Sequence, residues 1–107
     1  MDIAAGDLEV IDNEAARRFE IRIGDAVAFL EYTRAGTTIA YTHTEVPTSL
    51  EGHGVAAKLA MHALDFARAN GLDVVPLCSY VAEYIKRHPD YADLVAPRAR
   101  WGEFLQR

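Results

Sequence analysis

Between Thr48 and Ala60 the chain reads TSLEGHGVAAKLA, with two glycines flanking a histidine just before an apolar run of helical spacing. The first turn of a helix carries backbone N–H groups that have no partner inside the helix. With the helix dipole, they attract an anion. Gly52 and Gly54 let the chain turn sharply and let a ligand come close to the backbone. Ala56 and Ala57 keep the first turn uncrowded, and Lys58 adds a positive charge near it. Phosphate or pyrophosphate suits such a place, and a tight turn without a ligand accounts for the same residues. Two familiar phosphate loops are excluded: there is no G-x-x-x-x-G-K-[ST], and the strands before the loop do not open a doubly wound sheet.

Few other side chains have the type and spacing for chemistry. His43 and Glu45 stand two residues apart, on one face of a strand that ends just before the loop. They form either a proton-accepting pair or a solvated polar face. Cys78 is the one cysteine, so no internal disulfide can form. The four histidines, His43, His53, His62 and His88, are scattered, and no Cys/His spacing suggests zinc, so no metal is expected. His53 and His62 read as surface residues.

The elements that must hold these groups follow from periodicity. In RRFEIRIG, Phe19, Ile21 and Ile23 alternate with Arg18, Glu20 and Arg22, the period of a half-buried strand. A turn at Gly24-Asp25 leads to a second strand, Ala26 to Thr33. Gly36 turns the chain into a third, Thr37 to Val46, rich in β-branched and aromatic residues. A short edge strand is expected around Leu8 to Ile11. The period then changes. From Gly54 to about Ala69, Val55, Leu59, Ala63 and Phe66 mark one helical face, with Lys58, His62, Asp65 and Arg68 opposite. Asn70-Gly71 supplies a left-handed stop. Leu72 to Cys78 reads as a buried strand, and Ser79 to Pro89 as a second helix with Ser79 as its cap. DYADLV adds a further helical turn. The fold class is α+β: an antiparallel meander, then a β-α-β-α unit whose helices pack on a mixed sheet.

The chain of 107 residues fits a single domain, 1–107, with 96–107 as a C-terminal tail. Half of it is hydrophobic and a quarter charged, as in ordinary soluble proteins. A formal net charge of -5 argues against a nucleic-acid partner. No apolar run approaches the roughly 20 residues of a membrane span, so no membrane partner is expected. The acidic start, MDIAAGDLEV, lacks the pattern of a signal peptide, and the expected compartment is cytoplasmic.

The stretch HTEVPTSLEGHGVAAKLAMHALDFARANGLDVVPLCSYVAEYIKRHP resembles the small, single-domain branch of the GNAT superfamily of N-acetyltransferases. The likeness runs from about Phe19 to Val95. That superfamily's signature is Gln/Arg-x-x-Gly-x-Gly/Ala, and here Glu51-Gly52-His53-Gly54-Val55-Ala56 stands in its place. Gly54 and Ala56 fit the pattern. Glu51 replaces the usual Gln or Arg and brings a like charge towards a pyrophosphate.

The resemblance implies a GNAT-like fold and transfer of acetyl from acetyl-CoA, the cosubstrate, to a primary amine on a small molecule or a protein lysine. It implies that Val46, Gly52, His53, Gly54, Val55, Ala56, Ala57 and Lys58 bind acetyl-CoA. His43 and Glu45 would stand where the acetyl group lies. Cys78 would lie beside the thioester, either as a nucleophile or as a buried, inert thiol. Tyr84 would give a proton to the CoA sulfur, with Tyr80 one turn earlier as the other choice. Lys86, Arg87 and His88 would meet the ribose phosphate or adenine, or form a solvated face. Two other readings stay open. One is a CoA- or acyl-CoA-binding module without catalysis. The other is an interaction domain whose Trp101–Phe104 tail docks on a partner or across a dimer. The oligomer expected is a monomer or a homodimer.

Overall fold

A computed structural model describes residues 8–105. The first seven residues, which hold most of the acidic start, and the last two of the 96–107 tail lie outside the described residues. Five strands form one sheet in the order β1 (Ile11–Asn13), β2 (Arg18–Ile23), β3 (Ala26–Ala35), β4 (Thr38–Glu45) and β5 (Asp73–Pro76). The first four pair antiparallel through short turns, and β5 joins β4 in parallel. The parallel pair requires a crossover, which α1 (Val55–Ala69) supplies. α2 (Ser79–Arg87) follows β5, and α3 (Gly102–Leu105) closes the chain. The α+β expectation holds: a mixed sheet with helices packed on it.

Alternation along the strands builds two faces. Phe19, Ile21, Ala28, Leu30, Tyr32, Ile39 and Tyr41 point to the side where α1 lies, and α1 buries Val55, Leu59, Ala63, Leu64 and Ala67 against them. Tyr41 is wholly buried, and its hydroxyl donates to the Ala63 carbonyl of α1. A buried phenol needs such a partner. α1 ends as its sequence dictates: Gly71 takes φ 64, and the Leu72 N–H returns to the Ala67 carbonyl.

Several elements differ from their expected form. The edge strand is Ile11–Asn13, displaced past Leu8. β5 is only four residues long, because Leu77 and Cys78 leave the sheet. Cys78, not Ser79, is the N-cap of α2, and Ser79 is already its first helical residue. His62 is half-buried rather than on the surface. Its ring meets Phe19 edge-on at 5.0 Å, and burial pushes its pKa down. Glu20 is buried on the face opposite α1. It accepts hydrogen bonds from Arg18, Arg22 and Asn13. Burial works to raise its pKa, but these bonds prevail and hold it at about 2.

The tail docks on its own sheet. Val95 bridges to Val74 along the edge of β5, and the Ala96 N–H donates to the Val74 carbonyl at 2.8 Å. Ala96, Trp101 and Phe104 then pack on Ala40 and Val75, on the face away from α1. The Trp101 indole N–H reaches the Ala96 carbonyl at 2.8 Å, and Arg100 pairs with Asp73. Trp101 and Phe104 thus pack on apolar surface of this chain, Phe104 buried and Trp101 part-buried.

Candidate functional site

The site begins with an irregularity in β4. Leu30 pairs with Thr44 and Glu31 with His43, but Tyr32 pairs with Tyr41. Thr42 is thus an extra residue, a β-bulge. Strict alternation from Ile39 and Tyr41 would aim His43 and Glu45 towards α1. The bulge reverses this, as any one-residue shift of register must. Thr44 now shares the helix-side face with Leu30, while His43 and Glu45 share the opposite face with Glu31 and Phe29.

The same point marks a second change. Pairing of β4 with β5 runs from Thr38↔Asp73 to Tyr41↔Pro76 and ends there. The Cys78 N–H closes it with a 2.8 Å bond to the Tyr41 carbonyl. Beyond that bond β4 continues to Glu45 while the chain after β5 turns into α2. Across the resulting gap the Thr44 hydroxyl and the Cys78 sulfur lie 3.2 Å apart. Cys78 is only 7% exposed.

A cleft of about 190 Å³ lies under the loop that feeds α1. Six of the residues expected to bind acetyl-CoA line it: Val46, Gly52, Gly54, Val55, Ala56 and Ala57. His53 and Lys58 do not; His53 is exposed in the loop and Lys58 sits part-buried on α1. Leu50, Glu51 and Tyr80 complete the lining. Gly52 and Gly54 take φ of 83 and 74, a left-handed conformation that side chains resist. Gly54 is the N-cap of α1, with no side-chain hydrogen bond across the helix end. The first-turn N–H groups are therefore capped by no side chain, and the residues around them are small. These groups fit a pyrophosphate, and the Glu51 carboxylate is the one charge in the lining that opposes it.

The structure divides the expected catalytic residues among three places. Cys78 lies with Thr44 on the helix side of β4. His43 and Glu45 lie on the other side, with Nε2 and Oε1 3.6 Å apart and side chains 54% and 61% exposed. Tyr84 lines neither the gap nor the cleft. It lies in a second pocket of about 420 Å³, with Ala57, Tyr80, Glu83, Arg87 and His88. Tyr80 lines both spaces. Burial pushes the pKa of both phenols up, so each keeps its proton at neutral pH. Sequence reasoning left Leu50 out. The signal was present, as an apolar residue inside an otherwise polar loop. Among the described residues, no group of His, Cys, Asp or Glu could hold a metal ion, and no helix is long and apolar enough to cross a membrane.

Comparison with known proteins agrees with this geometry. The family model described as GCN5-related N-acetyl-transferase matches residues 18–94. Proteins named NATD1 are similar along most of their length. The one from Xenopus tropicalis is 32% identical over 89 residues, covering 79% of this chain and 81% of that protein. The one from Homo sapiens is 34% identical over 85 residues, covering 77% and 75%. A GCN5-like protein from Staphylococcus aureus, solved in solution by NMR, superposes with a TM-score of 0.67 at 28% identity, covering 84% of this chain and 89% of that one.

Proposed function

This chain belongs to the GCN5-related N-acetyltransferase family, and from that premise we propose that it transfers acetyl from acetyl-CoA to a primary amine. The observation that carries the reading is the small-residue cleft at the first turn of α1, in a fold where β5 leaves β4 unpaired beyond Tyr41. When bound, acetyl-CoA supplies an acetyl group already activated as a thioester.

The chain's own residues have separate tasks in this reading. The N–H groups at the start of α1 hold the pyrophosphate, with Gly52, Gly54 and Ala56 leaving room for it. Val46 and Leu50 give the arm of the cosubstrate an apolar wall. Tyr80, which keeps its proton at neutral pH, protonates the departing sulfur. His43 and Glu45, on the far side of β4, accept the proton from an amine that arrives from that side. Cys78 lies at the end of the gap, where a nucleophile would meet the acetyl group before the amine does. The acceptor is a small-molecule amine or a protein lysine, and the expected compartment is the cytoplasm.

Glu51 in the cleft favours a second reading, a CoA-binding module without catalysis, because its charge opposes tight cosubstrate binding. Calorimetry with acetyl-CoA and CoA, followed by mass spectrometry of a panel of amines, separates the two. Binding with transfer supports the enzyme; binding without transfer leaves the module; no binding removes both. Ala56→Glu tests the placement. A carboxylate in the first turn favours the helix dipole by about 0.3–1 kcal/mol. It should nevertheless weaken CoA about thirtyfold, or ~2 kcal/mol, by charge repulsion. Unchanged affinity in that variant would place the pyrophosphate elsewhere. Intact mass of the Cys78→Ala variant after incubation with acetyl-CoA tests the thiol, and full activity there removes Cys78 from the chemistry.

A further inference from the structure

The face of the sheet away from α1 holds a further cavity, of about 220 Å³, lined by Ala16, Arg17, Glu31, Tyr32, Thr33 and Thr42. Glu31 and Thr33 are two residues apart on β3 and share that face. Thr42, the bulged residue of β4, bounds one side, and the turn before β2 brings Ala16 and Arg17 to the lining. The cavity adjoins the His43–Glu45 pair by register. Glu31 stands opposite His43 across the β3–β4 ladder, and side chains so placed have Cβ atoms roughly 4.5–5.5 Å apart. The lining carries one charge of each sign. Arg18 and Arg22, on the same face, are committed to Glu20, but among the described residues no ion pair holds Arg17 or Glu31.

Arg17 has a second peculiarity. Its φ is 56, and among the described residues no other non-glycine residue has a positive φ. Two backbone bonds fix it there. The Arg17 N–H donates to the Glu14 carbonyl at 3.1 Å, and the Arg17 carbonyl accepts from the Tyr32 N–H at 2.9 Å. Left-handed backbone crowds any Cβ, whereas glycine adopts it freely. An arginine in that conformation is strain that points to a use for its side chain. The cavity is smaller than the roughly 300–1,000 Å³ of sites for drug-sized ligands, so its occupant is small. A small molecule that satisfies both Glu31 and Arg17 carries an ammonium and a carboxylate.

We propose that this cavity seats the acceptor, and that the acceptor is a small zwitterion of the amino-acid class, its ammonium on Glu31 beside His43 and its carboxylate on Arg17. The inference rests on the acetyl-transfer reading and names the acceptor for it. The amine nitrogen bonds to the acetyl carbon as the bond from that carbon to the CoA sulfur breaks. The ammonium gives up two protons in all. One is matched by the proton that the sulfur takes from Tyr80, and the other passes to solvent by way of His43 and Glu45. The product is a neutral amide without the charge that Glu31 holds, so it binds more weakly than the acceptor and leaves.

Steady-state kinetics of the full chain with acetyl-CoA test this, with glycine, alanine and serine, their α-amides, and a lysine peptide blocked at both ends as acceptors. Amidation deletes the carboxylate and keeps the amine, so the ratio of kcat/KM between an acid and its amide reads the Arg17 contact. Arg17→Gly should lower that ratio about fivefold through KM, the worth of one exposed ion pair. Arg17→Lys should keep most of it. Folding is safe in Arg17→Gly, because relief of the left-handed strain offsets the added freedom of the unfolded chain, and its thermal midpoint should stay near wild type. Glu31→Gln should raise KM about fivefold for acids and amides alike, since both carry the ammonium. An Arg17→Gly ratio equal to that of wild type overturns the proposal. Transfer to the lysine peptide without transfer to any free amino acid also overturns it, and leaves the acetyltransferase reading standing. No transfer to any amine overturns it together with that reading.

Discussion

The two halves of β4 are built to opposite ends. From Thr38 to Tyr41 the strand is paired on both edges and covered on both faces. α1 packs on Ile39 and Tyr41, and the tail packs on Ala40. From Thr42 onward the pairing to β5 is gone, and His43 and Glu45 are more than half exposed. On the outer face, the closed half is sealed by the apolar contacts of Trp101 and Phe104. Beside the open half stand charged groups instead: Glu20 between Arg18 and Arg22, and the Arg18 guanidinium over Phe29 at 4.4 Å. One strand thus carries rigidity and access side by side. The bulge at Thr42 and the departure of β5 mark the border.

Mutations that load one half and spare the other test this division. The largest effect is expected from Phe104→Ala. Removing a buried ring from the seal of the closed half should cost about 3 kcal/mol in urea unfolding. CoA affinity of the folded variant should stay the same, and a parallel loss of affinity would show that the halves are coupled.

A smaller effect belongs to Glu20, on the outer face beside the open half. Glu20→Gln should cost about 2 kcal/mol at neutral pH, because it weakens a charged hydrogen-bond network. The wild-type carboxyl is held near 2, below its ordinary 4.5. Its contribution is therefore fully present above about pH 4.5 and is lost as pH falls from there towards 2. Stability curves of the two proteins should converge over that acid range; curves that stay parallel would mean that Glu20 is not what titrates.

The smallest effect concerns Glu51. Glu51→Gln should tighten CoA about fivefold, near 1 kcal/mol, by removing a like charge from the cleft. Thermal stability should not move, since Glu51 is an exposed loop residue. A weaker complex would mean that the carboxylate contacts something other than the pyrophosphate.

Much of this was legible in the chain. The alternation Phe19, Ile21, Ile23 and the spacing Val55, Leu59, Ala63 gave the strands and α1, because burial of one face selects both periods. Gly54 before Val55 gave the start of α1, because glycine adopts that left-handed backbone at no steric cost. The sidedness of His43 and Glu45 was not legible. Their spacing is the same whether they face α1 or face away, and the choice belongs to one unpaired residue, Thr42. Nor could sequence place Tyr84, since one helical turn separates a phenol that lines the cleft from one that does not.

By itself, then, the sequence determined the local order: meander, glycine loop, helix, short strand, helix. Each of these follows from propensity and period within a dozen residues. Only the tertiary structure decided which side chains share a space. It set Cys78 against Thr44, turned His43 and Glu45 to the far face, joined the cleft to the second pocket through Ala57 and Tyr80, and folded the Trp101–Phe104 tail back on its own sheet. Those outcomes depend on register and on contacts between residues far apart in the chain, which no local pattern encodes.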